Sequence, residues 1–322
     1  MPNFPKSVRA FAVALSLLAA TALTGCGAGG SGAEDSGAVK LGIIPIIDVA
    51  PVKLGVARGL FAAEGLDVTT QDAQGGAAIV PGVMSGDFDF GYSNLASLLV
   101  AREQGLPLKL VAIGARASDD VLDDGSGQLM VSDPSIRTVA DLKGKTVGIN
   151  TLKGISEVAV RAGLEKGGLA PGDVTLVEMP IPNMVAGLES GQIAGAMVGE
   201  PFITIAEKAG ARPLPVGYAA MGEGIPFAGW FASEKMLAER PDVVERFTTA
   251  LEKSFEYAAA HPDEVRQSLN TYLTLDDGIA ESVRLPVWGP AVDRDEIDGL
   301  ATLTAEAGLI GDPRVLDGLI VK

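Results

Sequence analysis

Two carboxylates, Asp48 and Glu200, each follow an apolar run of strand type and are flanked by uncharged residues. A carboxylate so placed can accept hydrogen bonds from an amine, an amidine or ring N–H groups; each could equally cap a helix or pair across a cleft. The basic side chains to weigh against them are Lys153 and Arg116. Facing the same space, these would favour a sulfonate, nitrate or carboxylate, whereas solvated at the surface they would decide nothing. Ser93 and Asn94, and likewise Asn150 and Thr151, are short polar residues between a strand-like and a helix-like run. There they either touch a ligand or cap the helix. Gly75 and Gly76 would let a ligand approach the backbone closely. Phe202, Phe227 and Trp230 can stack on a flat ring or fill a core.

Catalysis finds little to work with. The chain has one histidine, His261, beside Pro262, and one cysteine, Cys26. Neither lies near the polar loops, so no Ser-His or Cys-His pair can be built there, and no Cys/His cluster offers a metal site. No cofactor is expected. Residues 27–32 spell G-x-G-x-x-G, but no strand precedes them and no helix follows, so the match to a dinucleotide fingerprint is false. Asp123 and Asp124 with Gly125, Ser126 and Gly127 hint at a calcium loop, yet the pattern lacks its twelfth-position ligand and reads as a surface turn.

The elements that must position these residues repeat. Strand patterns at 39–44 and 146–149, helix patterns at 52–64 and 156–166, and strands at 88–92 and 193–198 recur roughly 105 residues apart. Each set reads strand, helix, strand, helix, strand, which predicts an α/β fold of two similar lobes, each a mostly parallel sheet with helices on its faces. Ligands of such sheets bind at the carboxyl ends of the strands. Those loops carry Pro45, Asp48, Gly75, Gly76, Tyr92, Ser93, Asn94, Asn150, Thr151, Lys153, Asn183 and Glu200. Helical patterns at 234–240, 241–260, 262–273 and 296–307 are expected to return to the first lobe. This gives lobe I as 39–128 plus 227–322 and lobe II as 129–226, with crossings near 128–132 and 225–230 forming a hinge.

The 322 residues carry 25 Lys and Arg against 41 Asp and Glu, a net charge of −16. An acidic surface argues against nucleic acid or anionic lipid as the main partner. Lys6, Arg9 and the apolar run 11–23 have the parts of a secretory leader. The run is too short for the roughly 20 residues of a spanning helix. Leu23, Thr24, Gly25 and Cys26 resemble a bacterial lipobox. The resemblance implies a signal peptide at 1–25, lipidation of Cys26 with palmitate among its chains, and a Gly/Ser/Ala-rich flexible tether at 26–38.

A family resemblance adds to this. Residues 41–51, then Ala57, Arg58, Gly59, Leu60 and Phe61, and Glu64 through Val68, are similar to the solute-binding lipoproteins of ABC importers in the nitrate, sulfonate, taurine and thiamine-precursor group. So are residues 85–91, Asp141 through Val147, and the pair Glu200, Pro201. One departure is Ala194, where the family usually places an aspartate. The resemblance implies a periplasmic-binding-protein type II-like fold, with a hinge and a ligand cleft between two lobes. It further implies a monomer on the extracytoplasmic face of the cell membrane, held only by its lipid, that hands a small solute to ABC permease subunits. Fungal pyrimidine-precursor synthases resemble the group too, but use a cysteine-rich motif and an active-site histidine that this chain lacks. The solute is expected to be a nitrogen heterocycle or amine read by Asp48 and Glu200. The alternatives are a nitrate-, sulfonate- or taurine-type oxyanion, or a receptor that signals without transport.

Overall fold

The computed structural model describes residues 37–320. The expected leader, Cys26 and the tether as far as residue 36 lie outside the described residues.

Among the described residues eleven strands form two sheets. They are β1 (Ala38–Ile43), β2 (Asp67–Asp72), β3 (Phe90–Asn94), β4 (Leu108–Arg116), β5 (Gln128–Val131), β6 (Thr146–Ile149), β7 (Thr175–Glu178), β8 (Gly195–Val198), β9 (Arg212–Gly217), β10 (Pro226–Ser233) and β11 (Val287–Trp288). The first sheet runs β11-β4-β10-β3-β1-β2 and the second β7-β6-β8-β5-β9. In each, three parallel strands (β2-β1-β3 and β7-β6-β8) are followed by one antiparallel strand, β10 or β5. The internal repeat is thus a repeat of topology. Its helix stops and turns match as well: Gly65 and Gly168, then Gly86 and Gly191, all take positive φ, where a side chain would be strained.

The departure at Ala194 has a visible consequence. In the first lobe Asp89 N–H donates to the Lys40 carbonyl, while its carboxylate accepts from Lys40 N–H at 2.8 Å and Arg240 at 3.0 Å. At the matching place Ala194 N–H donates to the Thr146 carbonyl, but there is no carboxylate to add the rest.

Two expectations need correction. The pattern at 52–64 is not one helix: Gly59, at φ 75°, divides Ala50–Ala57 from Leu60–Ala63. The crossings also come earlier, at 117–127 and 218–225, because Gln128 already pairs with Val198 in the second sheet and Pro226 with Arg116 in the first. Beyond β10, the helix Pro241–Ala260 covers the first sheet. Phe247 stacks on Phe90 with ring centroids 3.9 Å apart and meets Trp230 edge-on at 5.6 Å.

Asp124 ties the crossings together. Its carboxylate accepts from Ser118 and Ser126 N–H in one segment and from Ala219 N–H in the other, at 3.0–3.3 Å. The residue is fully buried, so the sequence reading of a surface turn fails here. Unpaired, a carboxyl in that position would be costly; three backbone donors hold it.

Glycine positions decide which rings can reach the inter-lobe space. A Cβ at Gly114 on β4 would lie 2.5 Å from the Tyr92 ring, and one at Gly127 2.5 Å from the Tyr218 ring. We predict that Gly114→Val displaces Tyr92 and destabilises the fold by about 1–3 kcal/mol in denaturant unfolding. Gly289→Ala, whose Cβ would meet nothing within 4 Å, should be near neutral.

Candidate functional site

Strand β1 ends at Ile43, and the chain turns through Ile47–Val49 into the helix Ala50–Ala57, which sets Asp48 at the carboxyl edge of the first sheet. Its side chain is buried, with 4% exposure. The Tyr92 hydroxyl, at the matching end of β3, donates to Asp48 Oδ2 at 3.0 Å and is its one side-chain donor among the described residues. Burial pushes the Asp48 carboxyl up to about 7, against the downward pull of that hydrogen bond and with a smaller upward push from Asp124. Burial likewise carries the Tyr92 hydroxyl well above its ordinary range, so it remains a donor.

A cavity of ≈ 40 Å³ opens beside this pair, walled by both lobes. From the second lobe come Asn150 at the end of β6, Ser156 in the first turn of Ile155–Lys166, and Tyr218 just after β9. Ser156 Oγ donates to Asn150 Oδ1 at 3.0 Å and lies 3.0 Å from the Tyr218 hydroxyl, whose proton it is then free to accept. Ser126, from the first crossing, and Phe227, tilted against Tyr218 at 4.8 Å, are also on the wall. Among the described residues no lysine or arginine lines the cavity.

Asn94 joins the lobes. Its Oδ1 accepts Ser97 N–H at 2.8 Å, capping Leu95–Glu103, and Ile155 N–H at 3.1 Å, at the start of the second-lobe helix. Cap and cleft residue are one here. Two N–H groups that would suit an oxyanion already have an acceptor in Asn94, which is itself on the cavity wall.

The structure therefore brings Asp48, Tyr92, Asn94, Asn150 and Phe227 together, and sends other expected residues elsewhere. Pro45 lines a neighbouring apolar space. Gly75 meets Thr151 across the lobes, a Cβ on the glycine falling 2.4 Å from Thr151 Oγ1, and Gly76 lies against Ser93. These four pack the lobe contact and the helix beneath it. Lys153 is exposed, at φ 56°, its N–H donating to Glu157. Asn183 sits on the exposed side of Ile181–Glu189. Trp230 is core, its ring 5.2 Å from that of Tyr92. Arg116 pairs with Glu296 and the Ala291 carbonyl.

Glu200 is the largest correction. It is buried but faces away from the cavity, accepting from Thr204 N–H and Oγ at 3.1 and 2.9 Å and from the Arg284 guanidinium at 3.1 Å. Arg284 also binds Glu207 and Asp123, so Glu200 takes the helix-capping and ion-pairing role left open in the sequence reading. Ser126, Ser156 and Tyr218 were missed. The one available signal was Gly127, whose missing side chain makes room for the Tyr218 ring. Among the described residues no group of His, Cys, Asp and Glu could hold a metal.

The chain is similar to known proteins in sequence and in fold. The riboflavin-binding protein RibY of Chloroflexus aurantiacus is 29% identical over 233 residues, covering 70% of this chain and 63% of that protein. The taurine-binding periplasmic protein of Escherichia coli (strain K12) is 27% identical over 215 residues, 66% of this chain and 64% of that one. In fold, the chain is similar to the alkanesulfonate-binding protein SsuA from Xanthomonas axonopodis pv. citri bound to MOPS, with a TM-score of 0.74 at 18% identity over 88% of this chain and 98% of that chain. A family model described as "NMT1/THI5 like" matches residues 46–265. That match takes in the turn bearing Asp48, both crossings and the whole second sheet, and the chain belongs to the NMT1/THI5-like family.

Proposed function

We propose that this chain is the solute-capturing component of an ABC importer, and that it does no chemistry of its own. Lobe I, the residues up to 116 together with those from 226 on, and lobe II, 128–217, would close about the crossings 117–127 and 218–225 on a small solute, which the protein then hands to permease subunits. Cys26 would carry the lipid that holds the monomer to the extracytoplasmic face of the membrane. Relatives named for riboflavin, taurine and alkanesulfonate binding support the class of function. They do not share one solute chemistry.

The observation that carries the choice of solute is a buried carboxyl, Asp48, in a cavity between lobes that no cation lines. A cationic amine or an N–H-bearing ring would supply the missing donors. An oxyanion would meet a carboxylate and find Lys153 exposed, Arg116 paired, and the Ser97 and Ile155 N–H groups bound to Asn94.

A thermal-shift screen of the full chain in mild detergent should find stabilisation by amines or nitrogen heterocycles, and none by nitrate or sulfonates. A solute at 100 times its Kd adds roughly 2.7 kcal/mol. Asp48→Asn should weaken the best such solute about tenfold or more, while the exposed Asn183→Ala leaves it unchanged. Stabilisation by oxyanions alone would contradict the reading.

Proton linkage gives a second test. The Asp48 carboxyl is raised to about 7 and those of Asp124 and Glu200 are raised too, all chiefly by burial. Between the ordinary carboxylate range and about pH 7 the folded protein therefore holds more protons than the unfolded chain, and these groups make stability fall as pH rises through that window. Asp48 contributes at most about 1.4 kcal/mol per pH unit. In denaturant unfolding from about pH 4 to 7, Asp48→Asn should lose that share of the slope. The anchor is checked by labelling cells with a palmitate analogue: wild type should incorporate it and Cys26→Ser should not.

A further inference from the structure

A second space adjoins the polar cavity. It has a volume of ≈ 250 Å³, and Ile44, Ile46 and Ile181 line both. Its remaining walls come from both lobes: Pro45 after β1 and Ala73 after β2 on one side, Pro180 after β7 and Phe202 after β8 on the other, with Leu273 from the C-terminal region. Most of this surface is carbon. The polar residues on it, Asp72 and Gln74, are exposed, and no lysine or arginine is among its walls.

The inner cavity alone has room for about a water or two, or a head group of that size. A solute confined to it would leave the apolar space between the lobes wet, against the usual tendency of such walls to be covered. The two volumes differ in chemistry but agree in charge, since each has an acidic residue on its wall and no base.

Resting on the solute-capture reading above, we propose that the two spaces form one site for an amphipathic organic cation. Its amine or N–H head enters the chamber of Asp48, Tyr92 and Asn94, and a short alkyl or aryl tail lies against Ile46, Ile181, Phe202 and Leu273. The head supplies orientation through hydrogen bonds to Asp48. The tail supplies affinity in proportion to the apolar area it covers, and because its walls belong to both lobes, it favours the closed form. A small anion gains from neither compartment.

Titration calorimetry of the full chain in detergent with n-alkylamines from methyl to hexyl, and n-alkanesulfonates of equal length, tests this. Amine affinity should rise about fourfold per methylene until the tail reaches the rim. Asp48→Asn should weaken every amine by a similar factor, whereas Phe202→Ala should flatten the dependence on length and leave methylamine unaffected. Should Phe202→Ala not fold, Leu273→Gln on the opposite wall is expected to flatten it likewise. A length-independent amine series still abolished by Asp48→Asn would overturn the tail compartment and leave the carboxylate reading standing. Failure of every amine to bind, or tighter binding of the sulfonates, would overturn both.

Discussion

Removing a carboxylate from water is expensive unless hydrogen bonds or counter-charges answer it, and this protein meets that constraint three ways within a short stretch of structure. Asp124 is answered by backbone N–H groups from both crossings, so its burial fixes where the lobes join. Glu200 is answered by Thr204 and Arg284, so its burial fastens the start of Phe202–Lys208 to the C-terminal region. Asp48 is answered by one side chain, the Tyr92 hydroxyl, and faces a cavity. The first two are finished structural devices. The third retains capacity to accept, which is the physical basis for reading it as the contact for an incoming donor.

The surrounding structure supports that one group. Tyr92 reaches it because Gly114 leaves room for the ring, and Trp230 backs the ring from the neighbouring strand. Asn94, two residues on, lies at the end of the same strand and spends its carbonyl oxygen on N–H groups from helices of both lobes. A single acceptor bridging two helix starts is sensitive to their separation. In the lobe closure proposed above, opening would free the Ile155 N–H to water, and site geometry would follow lobe position.

Much of the fold could be read in the sequence because its signals are local and occur twice. Strand pattern, positive-φ glycine and helix stop recur at nearly one spacing, and Gly86 with Gly191 shows why Ser-Gly precedes the third strand of each lobe. The single helix expected at 52–64 failed because apolar periodicity continues through Gly59 while the backbone does not. Strand-end position places Asp48, Tyr92, Asn94 and Asn150 where the structure has them, around one cavity. It could not say which way a buried carboxylate points: Glu200 has the same local pattern as Asp48, and its direction is set by Arg284, far away in the chain. Tyr218 and Ser156 were invisible for the same reason, since each reaches the cavity wall only through a partner brought near by folding.

The central claim is that Asp48 receives a nitrogen donor between the lobes. The most direct measurement is a crystal structure of the protein with the tightest-binding solute identified by screening. A ligand N–H or ammonium is expected within hydrogen-bond distance of the Asp48 carboxyl, alongside the Tyr92 hydroxyl. An anion in that chamber, with Asn94 turned away from Ser97 and Ile155 so that their N–H groups hold it, would contradict the account.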